Sequence, residues 1–125
     1  MAERIRTHKD LNVYKMSFEA GVEIFKITKT FPRDELFSLT DQIRRSSRSV
    51  AAVVSEAFRK RRYPKSFIAK LSDAEGEAAE TQVWLDYSLE FGYIALDQYQ
   101  DLFEQYNQII GMLVNMMKAP HKWSW

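Results

Sequence analysis

The chain has 125 residues, enough for one hydrophobic core and too few for two ordinary domains. A composition of 46% hydrophobic and 28% charged residues is that of a folded globular chain and excludes general disorder. The absence of cysteine excludes disulfide frameworks, thiolate zinc sites and thiol nucleophiles, and it favours a cytoplasmic location. We find no secretory signal and no uncharged stretch of the roughly 18 to 20 residues that span a membrane. We therefore expect one soluble domain with a short N-terminal arm (1–10) and a C-terminal tail (119–125).

The first predicted helix runs from about Asn12 to Thr30, and Phe31-Pro32 ends it because proline disfavours the helical conformation in the residue before it. Its core face is predicted from apolar residues at alternating three- and four-residue steps. These positions are Leu11, Tyr14, Phe18, Gly21, Phe25 and Thr28.

The second predicted helix runs from about Asp34 to Arg59, and the same spacing predicts its core face. The positions are Leu36, Leu39, Ile43, Ser46, Val50, Val53 and Ala57. Pro64 is well placed in the first turn of a third helix that continues to about Phe91, where Gly92 supplies a left-handed cap.

The third helix has seven predicted core positions with the same spacing. They are Phe67, Leu71, Ala74, Ala78, Thr81, Leu85 and Ser88. Gly76 costs about 1 kcal/mol relative to alanine inside a helix. We expect another segment to approach it closely, with a tolerated imperfection as the alternative.

The fourth predicted helix begins near Asp97, which forms a capping-box pattern with Gln100, and Pro120 marks its end. Its predicted core positions are Tyr99, Leu102, Tyr106, Ile109, Leu113 and Met116. Short connections make neighbouring helices antiparallel, so the sequence predicts an all-α, antiparallel up-and-down four-helix bundle.

A net charge of only +1 conceals two opposed blocks. Eight cations and one acid, Glu56, lie between Arg44 and Lys65, whereas Asp73 to Glu104 holds nine acids and no lysine or arginine. Such cations can neutralise phosphates, which makes the block a candidate nucleic-acid interface. The candidates are Arg44, Arg45, Arg48, Arg59, Lys60, Arg61, Arg62 and Lys65. The alternative is that these cations pair with the acidic helices, within the bundle or between subunits.

Two further groups have structural interpretations. A polar network that fixes helix register or a subunit contact could include Gln42, Arg45, Ser49, Glu56 and Glu80. The second group is a C-terminal cluster of methionine and tryptophan, which consists of Met112, Met116, Met117, Trp123 and Trp125. It could dock on a neighbouring subunit, since methionine and aromatic residues are enriched in interface cores. The alternatives are that it contributes to the core or forms a disordered tail.

No catalytic, cofactor or metal site is predicted. The Glu-x-x-His motifs of helical di-iron sites are missing, and His8 and His121 lie near the chain ends, outside the predicted helices. There is no phosphate-binding glycine loop. Ser46, Ser47 and Ser49 have no histidine nearby in sequence to act as a base, so we interpret them as small helix-packing residues.

Several short motifs together resemble the four-helix bundle protein family, also described as the 23S rRNA intervening-sequence protein family. The resemblance covers about Leu11 to Ile94. The first set of motifs is Phe31-Pro32, Glu35, Leu39, Gln42, Arg44-Arg45, Ser49-Val50 and Glu56. The second set is Phe67-Ile68, Leu71, Glu80-Thr81, Trp84-Leu85 and Gly92-Tyr93-Ile94. Where the family usually has Asn-Ile-Ala-Glu-Gly, this chain has Val54-Ser55-Glu56-Ala57 and keeps only the glutamate, which leaves any role of that asparagine in doubt.

The resemblance implies an antiparallel bundle that assembles as a ring, with homopentamers the best-attested form, and no catalytic activity. It also implies association with nucleic acid in part of the family. Related accessory proteins of diversity-generating retroelements are basic pentamers that partner a reverse transcriptase. We therefore expect a non-enzymatic homo-oligomer that binds structured RNA or other nucleic acid through the second helix and its exit loop. The alternative is a protein-protein interaction or assembly scaffold that uses the opposed charge blocks without nucleic acid.

Overall fold

The computed structural model describes residues 5–123, and within that range the regular structure is entirely helical. The four helices are α1 (Asn12–Thr28), α2 (Leu39–Arg59), α3 (Pro64–Glu90) and α4 (Leu96–Lys118). Three single 3-10 turns accompany them, at His8–Asp10, Arg33–Glu35 and Pro120–Lys122.

Contacts between successive helices show that each runs antiparallel to the one before it. Arg44 of α2 reaches Thr28 at the end of α1, and Lys70 near the start of α3 reaches Glu56 near the end of α2. Gln82 of α3 donates to Asn107 of α4. The up-and-down four-helix bundle predicted from the sequence is therefore confirmed.

The core runs the length of the bundle and contains side chains from all four helices. All seven core positions predicted on α3 are buried. On α4, every predicted core position is buried except Tyr99, which is half-buried. A buried hydrogen bond of 2.8 Å joins the hydroxyls of Ser46 and Thr81 across α2 and α3, so two small polar side chains satisfy each other inside the core.

The core face predicted for α1 is wrong by about one residue in the middle of the helix, whereas Leu11 and Thr28 at its ends are buried as predicted. The buried positions are Val13, Ser17, Ala20, Ile24 and Thr28. Phe18 and Phe25 are instead exposed. The helix has apolar residues on two adjacent faces, and the spacing rule selected the face with the larger side chains. The face with small side chains at Ser17 and Ala20 is the one that packs inside the bundle.

The start of α2 also differs from its prediction. The helix begins at Leu39, five residues after Asp34, because residues 33–35 form a 3-10 turn and the backbone of Ser38 leaves the helical region (φ −128°, ψ −108°). Leu36, a predicted core residue, is therefore exposed. Phe37 beside it is 91% exposed.

The cap of α4 involves different residues from those predicted. The helix begins at Leu96, and the Gln98 side-chain oxygen accepts a hydrogen bond of 2.9 Å from the Ala95 N–H. The Asp97-Gln100 capping box was therefore wrong, although its position along the chain was nearly right. Met116 is buried near the end of this helix and Met112, Met117 and Trp123 pack partly buried against the core. Trp125 lies outside the described residues.

The two glycines of α3 and its exit have different outcomes. Gly92 has φ +76°, the left-handed cap expected from the sequence. Gly76 is exposed, and a methyl group placed there would meet no atom of this chain within 4 Å. The prediction that another segment of this chain approaches Gly76 closely is therefore wrong. Within a single chain, the alternative holds, and Gly76 is a tolerated imperfection of the helix.

The end of the bundle that holds the α1–α2 connection is closed by rings. We call this the aromatic end, defined by Phe31, Trp84, Tyr87, Phe91 and Tyr93. Successive rings in it lie 5.3 to 6.0 Å apart between centroids. The Tyr93 hydroxyl donates to a Glu35 carboxylate oxygen at 2.9 Å, which ties the start of the α3–α4 connection to the α1–α2 connection.

Candidate nucleic-acid interface

The opposite end of the bundle brings together three segments that are far apart in sequence. The loop of residues 60–63 joins α2 to α3, and the arm of residues 5–11 lies next to α2 through the His8–Asp10 turn. The C-terminal Pro120–Lys122 turn contacts α3. Ile5 and Leu11 of the arm line a shared cavity with Trp123, so the arm and the tail also meet. We call this surface the basic end.

Cations dominate the basic end. Those with exposed side chains are Arg6, Lys9, Arg59, Lys60, Arg62, Lys65, Lys118 and Lys122. Two acids lie among them. Glu56 is paired with Lys70 at 2.8 Å, and the Asp10 carboxylate accepts hydrogen bonds from the backbone N–H groups of Arg6 and Thr7. These backbone bonds lower the pKa of Asp10, because they stabilise the ionised carboxylate. The net potential of this end is therefore positive.

The loop of residues 60–63 is fixed by its own hydrogen bonds. Lys60 N–H donates to the Ala57 carbonyl at 2.9 Å, and Tyr63 N–H donates to the Lys60 carbonyl at 2.8 Å. The Tyr63 carbonyl in turn accepts from Phe67 N–H at 2.8 Å, which starts α3. The loop thus presents its side chains from a defined backbone, and the ordering entropy of binding is reduced.

Arg61 differs from its neighbours in this loop. It is 8% exposed, and its guanidinium lies 3.6 Å from the centroid of the Phe58 ring, within the range of a cation–π contact. Burial is the main cause that lowers the pKa of Arg61, with a smaller contribution from Arg59. Of the loop cations predicted for nucleic acid, Arg61 is therefore the one placed to hold the loop against α2.

Arg44, Arg45 and Arg48 do not lie at the basic end. Along α2, Arg44 is 15 residues before Arg59, which is about 22 Å at 1.5 Å per residue. Arg45 bonds Glu80 of α3 at 2.8 Å and Glu77 at 3.3 Å, as the pairing alternative supposed. The bond to Glu80 is the largest cause that raises the pKa of Arg45.

Arg44 and Arg48 lie beside α1 rather than beside acids. The Arg44 Nε donates to the Thr28 hydroxyl at 2.8 Å, and its guanidinium is 4.9 Å from the centroid of the Phe25 ring. The Arg48 guanidinium lies 5.8 Å from the same ring. Both arginines therefore border the exposed aromatic face of α1.

The predicted polar network is only partly assembled. Arg45 and Glu80 are joined, but Glu56 bonds Lys70, and it lies eleven residues from Arg45, about 16 Å along α2. Gln42 and Ser49 are half-buried, and no hydrogen bond joins either to these groups within residues 5–123. Arg45 pairs with both Glu77 and Glu80 across α2 and α3, and the separate Glu56–Lys70 pair joins the same two helices nearer the basic end.

Four cations of the basic end were not among the predicted site residues. Arg6 and Lys9 are in the arm, and Lys118 and Lys122 are at the C-terminal side. The signal that could have found them was the topology. In an up-and-down bundle of four helices, both chain ends meet the connection between the second and third helices.

Two exposed apolar surfaces lie along the sides of the bundle. The first, which we call the α1–α2 groove, has a cavity volume of about 510 Å³ and is lined by Phe18, Val22, Phe25, Ala51 and Ala52 among others. The second, which we call the outer face of α3, follows one exposed side of that helix. It comprises Ala69, Ser72, Gly76, Ala79, Val83 and Tyr87. Neither surface is covered by the chain itself.

The described residues contain neither a candidate metal site nor a candidate membrane span. Within residues 5–123, no three histidine or acidic side chains are grouped so that they could hold a metal ion. In the same range, no helix combines the length and apolarity needed to cross a bilayer. The sequence motifs likewise contain no phosphate-binding loop.

Comparison with known proteins decides the family. A family model described as "23S rRNA-intervening sequence protein" matches residues 9–115, which is most of the chain. The chain belongs to this family. The match extends past Ile94, where the recognisable sequence motifs end, and includes most of α4.

A solved structure of the same fold supports the assignment. It is a crystal structure of a protein with unknown function from the S23 ribosomal protein family of Bacteroides thetaiotaomicron VPI-5482. The two chains are 31% identical with a TM-score of 0.77, over 85% of this chain and 95% of the other. No curated protein matches. Neither description names an enzymatic activity.

Proposed function

We propose that this member of the 23S rRNA-intervening sequence protein family is a non-enzymatic, homo-oligomeric protein that binds structured RNA or another nucleic acid through its basic end. The observation that carries the proposal is the convergence of the arm, the loop of residues 60–63 and the C-terminal turn. Eight exposed cations meet there on a fixed backbone. Phosphate contacts of this kind supply most non-specific affinity for nucleic acid.

The acidic block does not oppose this binding, because much of it lies far from the basic end. Asp97 is at the start of α4, 21 residues from Lys118, which is about 32 Å along the helix. Asp86 and Glu90 are likewise in the half of α3 nearer the aromatic end. At about 0.15 M salt, screening reduces interactions beyond about 8 Å between exposed charges. A phosphate at the basic end therefore meets mainly cations.

The test removes three exposed cations from the last residue of α2 and the loop, as Arg59→Ala, Lys60→Ala and Arg62→Ala together, which we call the loop variant. Arg61 is left in place because its side chain packs on Phe58. The matched control replaces Lys26, Lys29 and Arg33 with alanine, which removes the same charge near the aromatic end. Binding of a fluorescent hairpin RNA is measured by anisotropy at several salt concentrations.

We expect the loop variant to bind much more weakly at low salt and the control to bind nearly as the unmodified protein does. Loss of three phosphate contacts should reduce the slope of log affinity against log salt by about 2 to 3. Equal affinity of the loop variant and the unmodified protein would show that the basic end does not bind RNA.

A second function, assembly of the subunits, is favoured by the two exposed apolar surfaces. The α1–α2 groove is bordered by Arg44 and Arg48, whereas Asp86 and Glu90 lie beside Val83 and Tyr87 of the outer face of α3. The surfaces are thus apolar with opposite charge at their edges. Because the two differ, pairing one with the other joins copies head to tail, which can close into a ring.

Two variants separate this arrangement from a symmetric dimer. Phe18→Glu places an acid in the α1–α2 groove, and Val83→Lys places a cation on the outer face of α3. Both residues are about half exposed, so the bundle should remain folded by circular dichroism. Light scattering should show that each variant alone dissociates, because each lacks one of the two surfaces.

An equimolar mixture of the two variants should form dimers, since one intact pair of surfaces remains between unlike chains. A symmetric contact would give no such recovery. A monomeric unmodified protein would exclude this assembly.

A further inference from the structure

Tyr63 is an exposed aromatic ring in the middle of the basic end. Its side chain is 57% exposed, in contrast to the buried Phe58 and Phe67 on either side of the loop. Tyr63 is in none of the ring pairs within residues 5–123. Packing within the bundle therefore does not explain why an aromatic residue is present at this position.

The backbone holds this ring in a defined place. Tyr63 both donates and accepts a backbone hydrogen bond of 2.8 Å, and Pro64 restricts the residue before it to the extended region that Tyr63 occupies (φ −114°, ψ 96°). The Arg61 contact with Phe58 fixes the preceding part of the loop. The ring is thus presented to solvent with little backbone freedom to lose on binding.

Exposed cations flank Tyr63 on both sides along the chain. Arg62 precedes it directly and Lys65 follows two residues later, with Arg59 and Lys60 within four residues. A flat ring between cations matches a nucleobase with a phosphate on each side. Proteins that bind single strands combine these elements, since a base stacks on the aromatic ring while the cations bind the backbone.

We infer that Tyr63 stacks on an unpaired base, so that the basic end selects single-stranded loops or ends of a nucleic acid over continuous duplex. Bases inside a duplex are already stacked on both faces and cannot reach the ring. The cations alone bind either form through phosphate. The inference rests on the proposed function and adds to it the kind of nucleic acid that is bound.

The experiment compares an RNA hairpin that has an unpaired loop with a blunt duplex of equal length, using anisotropy. Tyr63→Leu removes the flat ring and keeps an apolar side chain, and Tyr63→Phe keeps the ring. Phe37→Leu is the matched control, since Phe37 is an exposed aromatic residue at the other end of the bundle. A hairpin with 5-iodouridine in its loop is also photocrosslinked, and the modified peptide is identified by mass spectrometry.

We expect Tyr63→Leu to bind the hairpin roughly tenfold more weakly and the duplex unchanged. Tyr63→Phe and Phe37→Leu should bind as the unmodified protein does, and the crosslink should map to Tyr63. Equal hairpin affinity of Tyr63→Leu, with weak binding by the triple-alanine loop variant, would overturn the stacking and leave the proposed function standing. If the unmodified protein binds neither RNA, both fail.

Discussion

The two ends of the bundle contain similar residue types, but these residues make different contacts. At the aromatic end, rings pack against one another and the Tyr93 hydroxyl bonds Glu35, so contacts within the chain join the two connections, although Phe37 is exposed there. At the basic end, one arginine packs on a ring, while Lys60, Lys65 and Tyr63 are exposed. The difference indicates that the first end serves stability and the second is available for a ligand.

The largest expected difference in stability between the two ends comes from removing one aromatic ring from each. Phe31 is 9% exposed and packs on Tyr93, so Phe31→Ala should lower the free energy of unfolding by about 3 kcal/mol. Tyr63→Ala at the basic end should change it by less than about 0.5 kcal/mol, because the ring is exposed. Urea denaturation measures both. Equal losses would show that the two ends do not differ in this way.

An intermediate effect is expected within the basic end itself. Arg61→Ala removes a buried guanidinium from the Phe58 ring and should destabilise the chain by about 1 to 2 kcal/mol. Lys60→Ala, which removes an exposed cation from the adjacent position, should cost less than about 0.5 kcal/mol. Thermal unfolding of the two variants compares them. A smaller loss for Arg61→Ala than for Lys60→Ala would contradict an anchoring role for Arg61.

The smallest expected effect is a loss of folding stability at alkaline pH, which results from a hydrogen bond near the aromatic end. The Tyr99 hydroxyl donates to Asp86 at 2.6 Å, and this bond is the main cause that raises the pKa of Tyr99 to about 12. Since the folded pKa lies above the unfolded value near 10, the stabilisation is present below about pH 10 and is lost as pH rises through about 12.

The measurement is the stability of the unmodified protein and of Tyr99→Phe across that interval. The variant should be less stable below pH 10 and should lose less stability than the unmodified protein above it. Parallel curves for the two proteins would show that the Tyr99–Asp86 bond does not contribute.

The sequence predicted the fold because the spacing of large apolar residues identified the buried side of most helices. On α3 and α4, Phe67, Leu71, Leu102 and Ile109 mark that side. On α1, two adjacent faces are apolar, and spacing alone could not show that Phe18 would be exposed and Ala20 buried. That choice depends on how closely α2 approaches, which is a property of the packed bundle.

The candidate site was predicted less completely. The loop from Arg59 to Lys65 was visible as a run of charge, whereas Arg6 and Lys122 join it only through the topology. Pairing of Arg45 with Glu80 depends on the axial register of α2 and α3, which cannot be derived from the number of charges in each segment. Tyr63 gave no signal by itself, because its exposure is a property of the folded loop.

The hydroxyl pair of Ser46 and Thr81 has a consequence for the distant loop. If α2 slid by one turn relative to α3, each hydroxyl would face aliphatic carbon and lose a bond that water cannot replace in the core. The pair therefore fixes the axial register of the two helices. Since only four residues connect them, that register also sets the height at which the loop stands above the end of the bundle.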